Sequence, residues 1–341
     1  MSRRKFIKLM GAAGLSIPLS GMSRGLTGFP EENEVIKPVS LRIGDTLAIT
    51  SPAGAVWKDD TVSKFTAILK GMGFNVKLGR TLTEKFGYLA GTDELRAKEL
   101  NDFFMDKTVQ GIFCAKGGWG CARLLDSLDY FNIRTNPKVL MGFSDITSLL
   151  VAIQARTGLV TFHGPVGNSG WNDFSMGYVK SVLVNRALTE YGPGPKDTDA
   201  PVVFTPGKAK GVLIGGNLSV LVGIIGSTYL PDWKNKILFL EETEEEPYSI
   251  DRMLTQLRLA GVLKNISGVI FGKCMKCEAE EPQQSFTFME VLEQHLKPLG
   301  IPAYYGAMIG HIENKFTVPL GVMAEMDAGK GTFRLLEPAV S

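Results

Sequence analysis

The chain predicts an α/β protein with a doubly wound parallel sheet, followed by a second, smaller α/β block. Three observations carry this expectation. Short apolar runs alternate with amphipathic helical stretches between residues 45 and 158. A polar stretch rich in Pro and Gly, YGPGPKDTDAP, then breaks the pattern. The alternation resumes at Lys208. At 341 residues the chain exceeds one ordinary core and fits two domains. The expected boundaries are 1–30 for an export signal, 37–185 for the first domain, 186–207 for a linker and 208–338 for the second domain.

Taken in order, DTLAITS at 45–51 reads as a buried strand, and 59–72 as a helix. Residues 75–78 form a short second strand, and GYLAG at 87–91 a loop. Thr92 can cap a helix carrying Leu95, Leu100, Phe103 and Phe104. GIFCA at 111–115 is the next strand. It runs into Lys116-Gly117-Gly118-Trp119-Gly120 and an expected helix with Leu124, Leu125 and Leu128. VLMGF at 139–143 is a buried strand that stops at Ser144. Helical spacing begins there, with Ile146, Leu149, Leu150 and Ile153 on one face, and ends near Gly158. In the second block, GVLIGG at 211–216 precedes a helix start at Asn217. ILFLE at 237–241 is a strong strand, and Ile250, Leu254 and Leu257 share a helix face. Residues 266–271 and 286–299 read as strand and helix. Residues 316–336 are strand-like, with turns at 327–329 and 330–331.

Apolar residues make up 44% and charged residues 21%, which fits a globular protein. The net charge of +2 is unevenly spread. The first thirty residues hold Arg3, Arg4, Lys5, Lys8 and Arg24 and no acid. The remainder has 32 basic against 35 acidic residues, so it is mildly acidic and carries no nucleic-acid footprint. The basic start, short apolar middle and small residues of MSRRKFIKLMGAAGLSIPLSGM have the layout of an export signal. SRRKFIK resembles a twin-arginine pattern, which predicts a periplasmic destination, with a cytoplasmic one as the alternative. Neither a stable membrane span nor an internal repeat is expected. Of four cysteines, Cys114 sits in an apolar strand. Cys274-x-x-Cys277 alone is weak evidence for a metal; both thiols read as free or incidental, with a disulfide open to them after export.

Ser144 is expected where a strand's C-terminal end meets a helix N-terminus, the place where open α/β sheets collect ligands. It reads either as an N-cap or as a nucleophile. If the strands before Lys116 and Ser144 are neighbours, their turns face one crevice. The backbone N–H groups of Gly118 and Asp145 could then converge on an oxyanion. A serine nucleophile needs a base and an orienting acid. His163, in FHGP, and His311, in GHIEN, are both candidates for the base, whereas His295 flanks an amphipathic helix stripe. Glu241 closes ILFL and is the acid candidate. The acidic run that follows it, 242–246, reads as a solvated loop.

At this point the pattern resembles a family. GYLAGTDELRAKELNDFF (87–104), AKGGWGCARLLD (115–126), MGFSDIT (141–147), FHGP (162–165), GGNLSVL (215–221), ILFLEETEEEPYSIDRML (237–254) and GHIENKFTVPLG (310–321) occur in one order. They resemble the LD-carboxypeptidases of the serine peptidase family that includes murein tetrapeptide carboxypeptidase and the microcin C immunity peptidase. The resemblance implies a Rossmann-like N-terminal domain joined to a smaller α/β C-terminal domain. It implies a triad of Ser144, Glu241 and His311, with an oxyanion hole at Gly118 and Asp145. It implies no metal, no cofactor, a peptide or muropeptide substrate and a homodimer. Lys116, Trp119, His163 and Asn217 are the substrate-side candidates. The family often has Arg-Gly-Gly-Tyr-Gly where this chain has Lys116-Gly-Gly-Trp-Gly120, and Glu-Asp where it has Glu241-Glu242. The expected activity is hydrolysis of an L,D peptide bond, releasing D-Ala from a peptidoglycan tetrapeptide. A microcin-type amide hydrolase and a non-catalytic cell-wall-peptide-binding protein are the alternatives.

Overall fold

Short, mostly apolar runs form the strands of this computed structural model, which describes residues 34–58, 60–195 and 200–341. The expected export signal lies outside the described residues. The strands are β1 (Thr46–Thr50), β2 (Asn75–Leu78), β3 (Gly111–Cys114), β4 (Val139–Gly142), β5 (Thr161–His163), β6 (Glu190–Tyr191) and β7 (Val202–Thr205). They continue with β8 (Lys208–Asn217), β9 (Lys236–Thr243), β10 (Gly268–Met275), β11 (Ala303–Ala307), β12 (Val318–Leu320), β13 (Met323–Asp327) and β14 (Thr332–Leu335).

The first sheet runs β12-β5-β4-β3-β1-β2, with β1 to β5 parallel and β12 antiparallel on the edge. Strands β3 and β4 are buried at every position, as expected for a parallel sheet covered on both faces. The second sheet runs β6-β14-β13-β8-β9-β10-β11-β7, with a parallel centre of β8 to β11. Its flanks are antiparallel.

The strand–helix alternation predicted from the sequence is present, with three differences. Residues 186–207 are more than a connection. They supply β6 and β7, which cover opposite edges of the second sheet. The stretch 316–336 is divided between domains, because β12 pairs with β5 in the first sheet through Val318–His163 register while β13 and β14 join the second. The helix expected around Leu124 and Leu125 is a tight 3-10 turn, Ala122–Ser127. Cys274 and Cys277 form a disulfide, whereas Cys114 and Cys121 are free and buried. No helix among the described residues is long and apolar enough to cross a membrane.

Candidate active site

Strands β3 and β4 are parallel neighbours, so the turns that follow them do face one crevice. Ser144 opens the turn after β4 with φ of 64°, a left-handed conformation that costs a residue with a Cβ about 1–2 kcal/mol. Its side chain caps nothing. A 3-10 turn, Ser144–Ile146, leads into the helix Thr147–Thr157 without a side-chain cap. The hydroxyl instead faces His311, with Oγ 3.1 Å from Nε2. The N-cap reading of Ser144 therefore fails, and the reason is its backbone angle.

His311 Nδ1 lies 2.9 Å from Glu241 Oε2. Glu241 is fully buried near the end of β9. Burial pushes its pKa up, but the hydrogen bond and charge of His311 outweigh this and hold it below the ordinary carboxylate value. His311 reaches it from the loop after β11. Gly310 allows that approach: its φ is 128°, and a Cβ there would sit 2.8 Å from the Lys273 carbonyl and 3.2 Å from Glu241 Oε2. Thus the first sheet supplies the hydroxyl, and the second supplies the imidazole and the acid.

The Gly-rich turn after β3 lies directly over the hydroxyl. A Cβ on Gly117 would be 2.8 Å from Ser144 Cβ, so only glycine fits. Two buried groups fasten this turn. Asp145 Oδ2 accepts the Cys121 N–H at 2.8 Å. Arg96, wholly buried, donates from Nη1 to the carbonyls of Pro52 at 2.6 Å and Gly120 at 3.1 Å, and pairs with Asp93. Gly118 and Asp145 both line the cleft with Ser144 and His311. Their N–H groups are without a backbone acceptor among the described residues.

The cleft holds about 820 Å³. Trp119 and Asn217 line it, as the sequence suggested. Two other candidates do not. Lys116 curls back toward the β1 turn and donates to the Ala55 carbonyl at 3.2 Å. His163 is buried behind the triad, edge-on to Phe143 and Phe239 at ring distances of 5.8 and 5.5 Å. Burial lowers its pKa to about 4, so it is neutral at pH 7. His295 is paired with Asp251 Oδ1 at 2.7 Å, away from the cleft.

Three contributors were not singled out from the sequence. Glu242, expected in a solvated loop, is buried in β9. It accepts the Asn217 side-chain amide at 2.9 Å and the N–H groups of Ser219 at 2.7 Å and Thr243 at 3.0 Å. Burial, then the adjacent Glu241 charge, raise its pKa to about 7. The two neighbouring carboxyls are driven apart, one held ionised and the other able to keep its proton near neutrality. Lys315 is buried with its ammonium 4.5 Å from the centre of the Phe143 ring, and burial brings its pKa to about 8. Arg96 was visible only as a charge on a helix face. An arginine in an otherwise apolar register was the one available signal.

A strained serine, an imidazole and a buried carboxylate in one hydrogen-bonded line, beside glycine backbone amides, define a serine hydrolase arrangement. Residues 47–164 match the LD-carboxypeptidase N-terminal domain, and residues 210–326 the LD-carboxypeptidase C-terminal domain. The chain belongs to this family of carboxypeptidases. Among its relatives, the probable murein peptide carboxypeptidase of Bacillus subtilis (strain 168) is 36% identical, over 89% of this chain and 95% of that protein. Among solved structures, the microcin C7 self-immunity protein MccF in complex with glutamyl sulfamoyl guanosine superposes with a TM-score of 0.79 at 27% identity. That match covers 89% of this chain and 99% of MccF. Muramoyltetrapeptide carboxypeptidase from Oxalobacter formigenes superposes with a TM-score of 0.73 at 26% identity, covering 85% of this chain and 97% of that one.

Proposed function

We propose that the chain hydrolyses the L,D peptide bond of a peptidoglycan stem tetrapeptide and releases the terminal D-Ala. The observation that carries this reading is the Ser144–His311–Glu241 line, 3.1 and 2.9 Å, at the floor of a cleft in a murein peptide carboxypeptidase family member. His311 Nε2 takes the Ser144 proton as Oγ attacks the carbonyl carbon. The oxyanion is met by the Gly118 and Asp145 N–H groups. Glu241 holds the His311 tautomer with its proton on Nδ1 and stabilises the imidazolium. His311 then gives the proton to the departing amine, the C–N bond breaks, and D-Ala leaves with an acyl-enzyme formed on Ser144. Water, deprotonated by the same histidine, releases the shortened peptide. Trp119 and Asn217 are the substrate-side residues of this reading, because both line the cleft.

A second reading keeps the triad and changes the acyl group. The likeness to MccF, seen with glutamyl sulfamoyl guanosine, favours an aminoacyl-sulfamoyl nucleoside or related amide. Mass spectrometry separates the two. Protein lacking residues 1–30 is incubated with muropeptide tetrapeptide and, separately, with an aminoacyl-sulfamoyl nucleoside. Loss of one alanine by the wild type, and not by Ser144→Ala, is the expected result. Cleavage of the nucleoside alone would move the assignment to the second reading. No cleavage, with no labelling of Ser144 by a fluorophosphonate, would leave a peptide-binding protein.

Export by the twin-arginine route is part of the same proposal. The Cys274–Cys277 disulfide supports it, since such bonds persist in oxidising compartments. Replacing Arg3 and Arg4 by Lys should retain the protein in the cytoplasm, as read by cell fractionation. Homodimer formation, which the family resemblance implies, is checked by light scattering.

A further inference from the structure

The imidazole behind the triad is not explained by cleft lining. His163 ends β5, and its neighbour across the antiparallel pair is Val318 of β12. The ring packs on Phe143, which also carries the His311 ring at 4.8 Å, and on Phe239. Phe239 and Glu241 are two apart on β9, so their side chains lie on the same face of that strand. The Glu241 charge is close enough to act on the His163 ring. His311 uses only Oε2 of Glu241.

Two buried polar atoms in this region have no partner among the described residues: Glu241 Oε1 and His163 Nδ1. Native interiors rarely leave such atoms unpaired, since each costs about 1–3 kcal/mol. Here one is an anionic acceptor and the other is a ring nitrogen. That set suits a single bridging water, which needs two to four polar partners.

We propose that His163 is a positioning residue of the triad: its Nδ1–H holds the Glu241 oxygen that His311 leaves free, through one bridging water. This rests on the triad reading above. The buried imidazole is neutral, so it has one proton to donate, and an ionised Glu241 requires that proton on Nδ1. His163 touches neither substrate nor the reacting atoms. It acts on Glu241, which acts on His311. The other charges facing it are His311 and Lys315, both from the loop between β11 and β12.

Two experiments test this. The first compares His163→Phe with His163→Gln in steady-state kinetics across pH. The Phe variant should lose about 10- to 100-fold in kcat, the scale typical of a group that orients a functional side chain, with KM nearly unchanged. With one donor fewer on Glu241, its charge is less dispersed and favours the imidazolium more. The acid limb of kcat/KM should therefore move to higher pH, and the Gln variant, which keeps an N–H donor, should restore most of both. A merely structural histidine would lower thermal stability without moving the acid limb, and that result overturns the proposal. The second experiment needs no His163 variant to fold. Nitrogen-15 NMR of the wild type should find the His163 proton on Nδ1, with its resonance shifted in Glu241→Gln. A proton on Nε2, or no shift, also overturns it. Wild-type protein without turnover would instead count against the triad reading itself.

Discussion

Two corners of the molecule have the same plan and opposite uses. After β4, a small polar residue, Ser144, stands between a parallel strand and a helix. At the end of β8, Asn217 stands at an equivalent corner of the other sheet. Asn217 has φ of −69°, and its Oδ1 accepts the Val220 N–H at 3.1 Å as an ordinary N-cap. Its own N–H reaches across to Thr147 Oγ1 at 3.0 Å, on the first turn of the Ser144 helix. Ser144 has φ of 64° and caps nothing. Residue type does not separate the two. The sign of φ does, because it decides whether the side chain turns back onto its helix or out toward a partner. One corner spends its polar group on stability, and the other keeps it for His311 at a cost in stability.

The largest expected break of this contrast is at Ser144. Ser144→Ala should lower turnover by roughly 10^4- to 10^6-fold while leaving the fold intact. Ser144→Gly should be equally inactive but about 1 kcal/mol more stable than Ser144→Ala in urea unfolding, because glycine tolerates the left-handed angle. If alanine and glycine unfold alike, the angle is not the source of strain. Gly117→Ala comes next. Its Cβ would press on Ser144 Cβ at 2.8 Å, and displacing the hydroxyl by a fraction of an ångström should cost about 100-fold in kcat. The matching test at the other corner is Asn217→Ala. It should cost about 1 kcal/mol, with a milder loss of activity through Glu242, which loses a donor.

The last of these effects concerns the neighbour of that cap. Glu242 has a folded pKa of about 7 against an ordinary value of 4.5. Between those values the folded chain holds a proton that the unfolded chain has released. Wild-type stability therefore falls as pH rises through this window and levels off above about 7. Glu242→Gln lacks this dependence. The variant should gain on the wild type across the window, as followed by denaturation midpoints at several pH values; a constant difference would mean that Glu242 ionises normally in the folded state.

Much of this was legible in the sequence because it is local. Apolar runs between turn residues located β1, β3, β4 and β9, and their parallel pairing follows from the helices between them. Ser144 and Glu241 were marked by their place at the ends of apolar strands. His311 was not separable from His163 by spacing alone, since both follow short runs in glycine-bearing loops. Only the resemblance to a family favoured one, and the fold places that one against Ser144 and Glu241.

The sequence by itself determined the central strands, the strand–helix alternation and the placing of the hydroxyl and the acid at strand ends, because period and turn chemistry are properties of neighbouring residues. The tertiary structure alone decided which histidine faces Ser144 and that Glu242 is buried. It also decided that Lys116 turns away, that residues 186–207 complete the second sheet and that β12 returns to the first. Those outcomes depend on strands far apart in the chain coming side by side, and on backbone angles that only the packed turns enforce.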